Sequence, residues 1–345
     1  MTGTTEQSAR VDSARRCPAC GGSLGPAGAG LRCSGCNRSY DEPIAGIFDL
    51  RVSYPDPQLS RDEDARLAKE LAELAPVRDL RGLLEQHWRL VGKQPDLAER
   101  FTAQELQARS KAEPVVDAVE AARGAPIGRE DVVLEVGCGT AALAAALARR
   151  GATVLASDVS LRWLVLARSR LGQEGAGHVD LLACAAEALP FPDESFSVVA
   201  ASDVVEHVED AGRFVEECAR VLRPGGMLFL ATPNRYSLGL EPHVRLWGVG
   251  LLPRRLAEPY VRALRHTSYA HVRLLSARSL ERLLRDHGLE PEIVNPAVPE
   301  STMALYSGFE RSLVGIYNRV RRIPAARPVL CAVGPFFHVF GRKHR

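Results

Sequence analysis

Short apolar runs alternate with amphipathic segments from residue 131 to residue 234. Five of the runs are rich in β-branched residues and leucine, as is typical of strands buried on both faces: 132–136, 153–157, 179–184, 196–201 and 227–231. Three segments between them place apolar side chains on one side of a helix: 141–149, 160–171 and 211–222. Asp210 precedes the last of these as an N-cap. The alternation predicts a Rossmann-like, doubly wound α/β sheet that binds ligands at the carboxyl ends of its strands.

The segments before and after this core carry different patterns. Leucine stripes at helical spacing run from Ser60 to Arg123, after a linker at 51–58 that holds two prolines. Residues 1–16 are small and polar, which predicts a disordered tail. The expected domains are a tail at 1–16, a small domain at 17–50, a helical part at 51–125, the core at 126–235 and a final part at 236–345.

A glycine-containing turn follows the first buried strand of the core. Gly137 and Gly139 let the backbone turn sharply and approach a ligand closely, in front of the free N–H groups of an alanine-rich helix. Asp158 ends the next apolar run, where an acid can accept hydrogen bonds from ribose hydroxyls. This combination predicts a nucleoside-binding site at the ends of the two strands.

Two residues beside the turn discriminate between nucleoside cofactors. Glu135 lies just before the glycines, where its carboxylate can hold a cationic amino acid moiety. Ala141 stands where a dinucleotide site needs a third glycine for close pyrophosphate packing. Both residues favour S-adenosylmethionine (SAM) over NAD.

Further motifs follow the turn. Between Asp131 and Asn234 the chain resembles class I SAM-dependent methyltransferases of the type 11 family, on four separated stretches: Ala185–Phe196, Ser202–Asp210, Val221–Gly226 and Thr232–Asn234. The resemblance implies a class I methyltransferase sheet with SAM contacts at Glu135, Gly137, Cys138, Gly139, Thr140, Asp158, Val159, Ala186, Glu187 and Ser202. Ala185 and Ser197 depart from acids that the family often carries there. The alternative is a nucleotide-binding fold without activity.

After Asn234 the family pattern loosens. Residues 236–270 hold three prolines and no clear strand, which predicts an insertion that caps the substrate cleft. A helix is expected after Ser276, as its N-cap, with a stop at Gly288, then a strand at 292–294 and a helix at 305–322. The apolar stretch Val329–Phe340 resembles the final antiparallel strand of the family, and its basic flanks also suit an interfacial membrane segment.

Two cysteine pairs precede the core, Cys17 with Cys20 and Cys33 with Cys36. Each pair presents two thiolates from one tight turn, and two such turns complete a tetrahedron around Zn²⁺. Because thiolates fill all four positions, we expect the zinc to be structural. The alternative is that the four cysteines hold this segment together without zinc. The stretch Cys17–Leu50 resembles the small zinc-ribbon domain that accompanies some methyltransferases, a family that includes ribbons involved in RNA modification.

An acid–histidine cluster follows the fourth strand, with Asp203, Glu206 and His207, and His271 comes later in the chain. Similar groupings hold a divalent ion in small-RNA 2′-O-methyltransferases, and ubiquinone O-methyltransferases carry a related Glu–His pair. The resemblance implies that His207 or His271, with Asp203 beside them, takes the proton of an acceptor hydroxyl, or that the group binds Mg²⁺. The structural alternative has His207 packing at a helix start and His271 on a surface loop.

The acceptor is expected to be a hydroxyl group. Ser202–Val205 lacks the Asn/Asp-Pro-Pro-Tyr/Phe box common in enzymes that methylate the amino groups of adenine or glutamine, and no Pro-Cys nucleophile is evident. O-methylation of a sugar, a glycolipid or a secondary metabolite is therefore the favoured function. An RNA methyltransferase that uses the ribbon and the basic C-terminal region is one alternative, and a non-catalytic partner protein is the other.

The amino-acid composition limits which binding partners and which cellular compartment are expected. The formal net charge is +2, but basic residues outnumber acidic ones after residue 231, which favours an anionic or lipid-linked small molecule as acceptor over nucleic acid. The scattered cysteines, with no apolar leader and no run long enough to span a membrane, predict a cytoplasmic protein. Peripheral membrane contact is an option through the C-terminal apolar stretch, and the oligomeric state stays open.

Overall fold

The computed structural model describes residues 15–54, 59–298 and 308–344. Most of the predicted tail and both prolines of the predicted linker lie outside these ranges. The described residues form a mixed central sheet with helices on both faces, a small N-terminal sheet and an inserted segment with a small core of its own. The predicted α/β class is confirmed.

The N-terminal domain is a three-stranded antiparallel sheet. Its strands are β1 (Leu24–Ala27), β2 (Gly30–Cys33) and β3 (Ser39–Tyr40). The next strand, β4 (Phe48–Asp49), leaves this sheet and pairs in parallel with β7 (Asp180–Ala183) at the edge of the central sheet. The end of the small domain is thus built into the larger one.

The predicted helical part forms four helices: α1 (Arg61–Leu74), α2 (Leu80–Leu90), α3 (Pro95–Leu106) and α4 (Ala108–Arg123). Ser60 and Glu63 form a reciprocal capping box at the start of α1, and the Asp79 carboxylate accepts from the Gly82 N–H at the start of α2. The leucine stripes bury their apolar side chains, among them Leu67, Leu71, Leu80, Leu83 and Leu84.

The central sheet has the strand order β12-β13-β9-β8-β5-β6-β7-β4. Its strands, besides β4 and β7, are β5 (Val132–Val136), β6 (Thr153–Asp158), β8 (Phe196–Ser202), β9 (Leu222–Pro233), β12 (Leu289–Val294) and β13 (Phe336–Lys343). The strands from β4 to β9 run parallel, so their carboxyl ends lie at one edge. The sequence predicts this edge as the ligand-binding one.

Helices pack against both faces of this sheet. α5 (Ala142–Arg149) and α6 (Leu161–Gln173) share one apolar core with α1, α2 and α4. On the other face, α7 (Ala211–Val221) and α9 (Ala277–Asp286) share a core with Cys17, Cys33 and Tyr40 of the small domain. The predicted N-caps are confirmed, because Asp210 and Ser276 accept from the third backbone N–H after each of them.

The strand β13 lies antiparallel between β9 and β12. This confirms the expected final antiparallel strand. The interfacial-membrane interpretation of Val329–Phe340 is wrong for Phe336–Phe340, because these residues pair within the sheet and Phe337 and Val339 are fully buried. Within the described ranges, no helix combines the length and the apolar character needed to cross a membrane.

The insertion after β9 has a small core of its own. It contains the hairpin of β10 (Leu240–Glu241) and β11 (Leu246–Trp247), a 3₁₀ turn at Val249–Leu251 and α8 (Arg254–Arg265). Its buried residues are Val249, Ala257, Val261, Tyr269, Val272 and Leu274. The helices α10 (Gly308–Val320) and α11 (Arg327–Val333) lie between β12 and β13 in the chain.

Candidate cofactor and acceptor site

The predicted glycine turn connects β5 to α5. Gly137 and Gly139 have φ angles of 69° and 51°, in the left-handed region that favours glycine. A Cβ atom on Gly137 would lie 2.3 Å from Cγ2 of Val204, whereas the space beside Gly139 is open. The first glycine therefore allows close packing inside the protein, and the second leaves room for a ligand.

Asp158, the last residue of β6, is bonded across to this turn. Its Oδ2 accepts from the Gly139 N–H at 2.9 Å, and its Oδ1 accepts from the Ser160 N–H at 2.8 Å. Burial raises the pKa of the carboxyl above its usual value, although both N–H groups favour the ionised form. Each oxygen keeps a lone pair for a further donor, as a ribose diol would require.

A cavity of about 510 Å³ opens at the carboxyl edge of the sheet. Nine of the residues that the sequence predicts for the site line it: Gly137, Gly139, Asp158, Val159, Ala186, Glu187, Asp203, His207 and His271. The predicted cofactor residues and the predicted catalytic residues thus share one space. This size is typical of small-molecule sites.

Four other predicted cofactor residues do not line the cavity: Glu135, Cys138, Thr140 and Ser202. Glu135 lies behind the turn, where its carboxylate accepts from the Ala144 N–H of α5 at 2.8 Å, and burial raises its pKa to about 8. Thr140 donates its hydroxyl to Glu105 of α3 and accepts from Arg170 of α6. Both side chains hold neighbouring elements together.

Three histidines meet beside the cavity, and two of them, His207 and His271, line it. Nε2 of His207 lies 3.1 Å from Nε2 of His243, and the rings of His207 and His271 stack with centroids 6.1 Å apart. His243 comes from the loop between β10 and β11, and its Nδ1 lies 2.5 Å from Oε1 of Glu241. The insertion therefore contributes directly to the cluster.

A buried carboxylate completes the cluster. Glu206 is 0% exposed, and its Oε2 accepts from the Thr232 hydroxyl at 3.0 Å. Its Oε1 is buried and has no hydrogen-bond partner among the described residues. Ligand atoms of Glu206, His207 and His243 lie within 4.8 Å of one another, so these three side chains can hold a metal ion.

Burial and mutual repulsion shift the pKa values in the cluster. Burial, with the neighbouring His243 and His271, lowers the pKa of His207 to about 4, so its imidazole is neutral at pH 7. Burial also lowers the pKa of His243, but the Glu241 carboxylate outweighs this effect and raises it. Desolvation raises the pKa of Glu206 to about 8 and raises that of Asp203.

The structure brings the four predicted zinc ligands together. The Sγ atoms of Cys17, Cys20, Cys33 and Cys36 all lie within 4.8 Å of one another. Two of the pairs, Cys20 with Cys33 and Cys17 with Cys36, are 3.4 Å and 3.7 Å apart, near the ~3.8 Å that a tetrahedral Zn–S₄ site requires. Backbone N–H groups of Cys36 and Gly35 point at Sγ of Cys33 and lower the pKa of this thiol to about 6. The donor set fits a closed structural site.

Sequence reasoning missed some of the residues around the cavity. His243 and Glu241 lie in the insertion, which the sequence predicts as a cap without naming a side chain. His87 and Trp88 lie in α2, within the predicted helical part. Both are buried, and they also line the cavity with Phe101 and Trp163. The ring centroids of Trp88 lie 5.3 Å from Phe101 and 5.6 Å from Trp163, which makes this wall aromatic.

Comparison with known proteins agrees with this geometry. The type 11 family, described as a methyltransferase domain, matches residues 134–230. The chain carries a methyltransferase domain of this family. The matched residues run from within β5 to within β9 and contain the glycine turn, Asp158 and the cluster that follows β8.

Curated proteins similar to this methyltransferase domain include several that share one name. A ubiquinone biosynthesis O-methyltransferase of Chelativorans sp. (strain BNC1) is 35% identical over 157 residues, which are 46% of this chain and 58% of that protein. A protein of the same name from Sinorhizobium medicae (strain WSM419) is 46% identical over 103 residues, 30% of this chain and 41% of that protein. The chain thus spans about half the length of the curated relatives it matches.

Solved structures show a more distant similarity. Phosphoethanolamine N-methyltransferase 2 of Haemonchus contortus, in complex with SAM, is 18% identical, with a TM-score of 0.42 over 64% of this chain and 50% of that chain.

Proposed function

We propose that this methyltransferase domain transfers the methyl group of SAM to a hydroxyl group of a small molecule. The observation that carries this proposal is the shared cavity, where the glycine turn and Asp158 meet an imidazole cluster. The names of the curated relatives support an oxygen acceptor.

The residues at the end of β5 and β6 fit SAM. The open space beside Gly139 admits a ligand close to the backbone, and the Asp158 carboxylate, held by two N–H groups, can accept from a ribose diol. Val159, Ala186 and Glu187 extend the same wall. Bound SAM supplies a methyl group that its sulfonium already activates, so this chain has to orient the acceptor and remove its proton.

His207 is the proposed general base. Its neutral ring lines the cavity and can accept a proton from a hydroxyl group beside it. His243, whose Nδ1–H is held by the Glu241 carboxylate, is suited to accept the Nε2–H of His207 at its own Nε2 and so to fix that ring. In this arrangement Nδ1 of His207 receives the acceptor proton, and Asp203 and His271 shape the space around it.

We also propose that the histidine cluster binds a divalent metal ion. Two Nε2 atoms 3.1 Å apart converge at about the ~3.3 Å separation of two imidazoles on one tetrahedral ion, and Oε1 of Glu206 is available nearby. Glu241 would orient His243 from its other ring nitrogen, as carboxylates do behind metal-bound histidines. Two imidazoles and a carboxylate favour Zn²⁺ or Mn²⁺ over the Mg²⁺ expected from the sequence. A bound ion would lower the pKa of a coordinated hydroxyl.

The acceptor is proposed to be partly apolar. The aromatic wall formed by Trp88, Phe101 and Trp163 suits a planar or hydrocarbon group, and Lys93 at the same wall suits an anionic substituent. A phenol or catechol that carries a carboxylate or a lipid chain meets both requirements. The ribbon cysteines are proposed to bind structural Zn²⁺ outside this site.

The proposal is tested with purified protein, SAM and a panel of phenols, catechols, polyols and RNA, with methylated products identified by mass spectrometry. We expect methyl transfer to a hydroxylated small molecule, and a loss of at least ~100-fold in His207→Ala. His178→Ala, a change of an exposed histidine outside the cavity, is the control.

Two outcomes would change this proposal. Turnover on RNA alone would overturn the small-molecule acceptor, and wild-type turnover in His207→Ala would overturn the base. Treatment with EDTA distinguishes a metal-bound cluster from a metal-free one. A loss of activity that Zn²⁺ or Mn²⁺ restores supports the bound ion, and activity that resists EDTA excludes it.

A further inference from the structure

The first turn of α6 has an unusual capping partner. Ser160 precedes this helix but makes no side-chain cap of its own. The Asp64 carboxylate of α1 takes this role from a distant part of the chain, accepting from the Leu161 N–H at 2.9 Å and from the Ser160 hydroxyl at 2.8 Å. Free N–H groups at a helix start need such acceptors, and Asp64 is 0% exposed.

Two arginines flank this buried carboxylate. Nη1 of Arg51 lies 2.6 Å from Oδ2 of Asp64, and Nη1 of Arg162 lies 2.7 Å from Oδ1. Arg51 is itself buried and binds both oxygens of Asp49 with its fork, at 2.8 Å and 2.7 Å. Buried charges are stable only when their partners stay in place, so this network holds its members in one geometry.

The network ends at Asp158, the residue proposed to bind the ribose. Arg51 also donates to the carbonyl oxygen of Val159 at 2.8 Å, and the Ser160 N–H donates to Oδ1 of Asp158. The turn from Asp158 to Arg162 is therefore bound on one side by Arg51 and Asp64 and on the other by the Asp158 carboxylate. Neither Arg51 nor Asp64 lines the cavity, so neither is a candidate for direct contact with a ligand.

We propose that Asp64 and Arg51 are positioning residues for the cofactor, which lock the turn after β6 so that the Asp158 carboxylate is preorganised for the ribose. This inference rests on the proposed function, because it assigns SAM to the site. It extends the cofactor site to Arg51 and to Asp64 of α1, outside the matched methyltransferase domain.

The test compares Asp64→Asn with Asp131→Asn. Asp131 is a matched control: it is a buried carboxylate with an arginine, a backbone N–H and a hydroxyl as partners, at the opposite end of the parallel strands. We expect the SAM dissociation constant, measured by calorimetry, to rise at least ~10-fold in Asp64→Asn and to stay near wild type in Asp131→Asn. Turnover at saturating SAM should change little in Asp64→Asn, because the change acts on binding.

A second variant and a second readout keep the proposal falsifiable. Arg51→Lys keeps the charge but loses the fork on Asp49, and we expect a smaller rise in the dissociation constant. Amide exchange at residues 160–162 should accelerate in Asp64→Asn and not in Asp131→Asn, without any ligand.

The outcomes separate the inference from the proposed function. Unchanged SAM affinity in folded Asp64→Asn and Arg51→Lys, or an equal loss in the control, would overturn the positioning role. If the wild-type protein bound no SAM, the proposed function would fail, and unchanged amide exchange would then overturn the locking of the turn as well.

Discussion

The role of Asp158 gives a prediction whose size follows from the structure. Two ribose hydroxyls would each donate to a carboxylate oxygen, and a hydrogen bond to a charged group contributes about 1.5–3 kcal/mol. Water replaces part of this in a truncated site, so we expect Asp158→Ala to lose about 3 kcal/mol of SAM binding, a ~100-fold rise in the dissociation constant. The Gly139 and Ser160 N–H groups also lose their acceptor, so the melting temperature should fall.

The assay is titration calorimetry with SAM and with S-adenosylhomocysteine, and the matched control is Asp131→Ala. Both variants remove a carboxylate that accepts from a backbone N–H, but Asp131 lies at the amino end of β5, away from the cavity. Both should unfold earlier, and only Asp158→Ala should bind the two ligands weakly. A folded Asp158→Ala protein with wild-type affinity would refute the assignment of the ribose site.

Two further predictions concern the small domain and Glu135. Purified protein should contain one equivalent of zinc by elemental analysis, and Cys20→Ser should lose it, whereas Cys184→Ser, a change of a buried thiol outside the ribbon, should keep it; less than half an equivalent in the wild type would exclude the zinc site. Burial raises the pKa of Glu135 from its usual 4.5 to about 8, so the folded state holds a proton that the unfolded chain releases. Folding stability should therefore fall as pH rises from about 4.5 to about 8, by up to ~1.4 kcal/mol per pH unit. Urea unfolding at pH 5, 6, 7 and 8 should show this slope in the wild type and a flatter profile in Glu135→Gln; equal slopes would contradict the buried proton.

The sheet and its glycine turn could be predicted because their signals are local. A strand buried on both faces needs a run of apolar residues, and the run at 132–136 has the same bounds in the structure. The positive φ angles of Gly137 and Gly139 and the caps at Asp210 and Ser276 likewise depend on a few adjacent residues. Such features follow from neighbouring residues along the chain.

The contacts that complete the site join residues that are far apart in the sequence. His243 reaches His207 only because the insertion folds on its own small core, and Asp64 reaches Leu161 only because α1 packs on α6. No periodicity marks a lone histidine in a proline-rich stretch or a lone aspartate on a helix. Their positions depend on how separate elements pack, which one sequence does not specify.

The residues around the cavity come from two parts of the chain, and this affects which part determines acceptor specificity. The glycine turn and Asp158 lie within residues 134–230, the stretch that matches the methyltransferase family. His243, His271 and the wall formed by Trp88 and Phe101 come from elements outside it. Because the matched stretch holds the proposed cofactor residues and the flanking elements hold most of the proposed acceptor wall, similarity over that stretch supports SAM more strongly than any particular acceptor. Acceptor specificity should therefore respond to changes at Trp88 or Phe101 that leave SAM affinity intact.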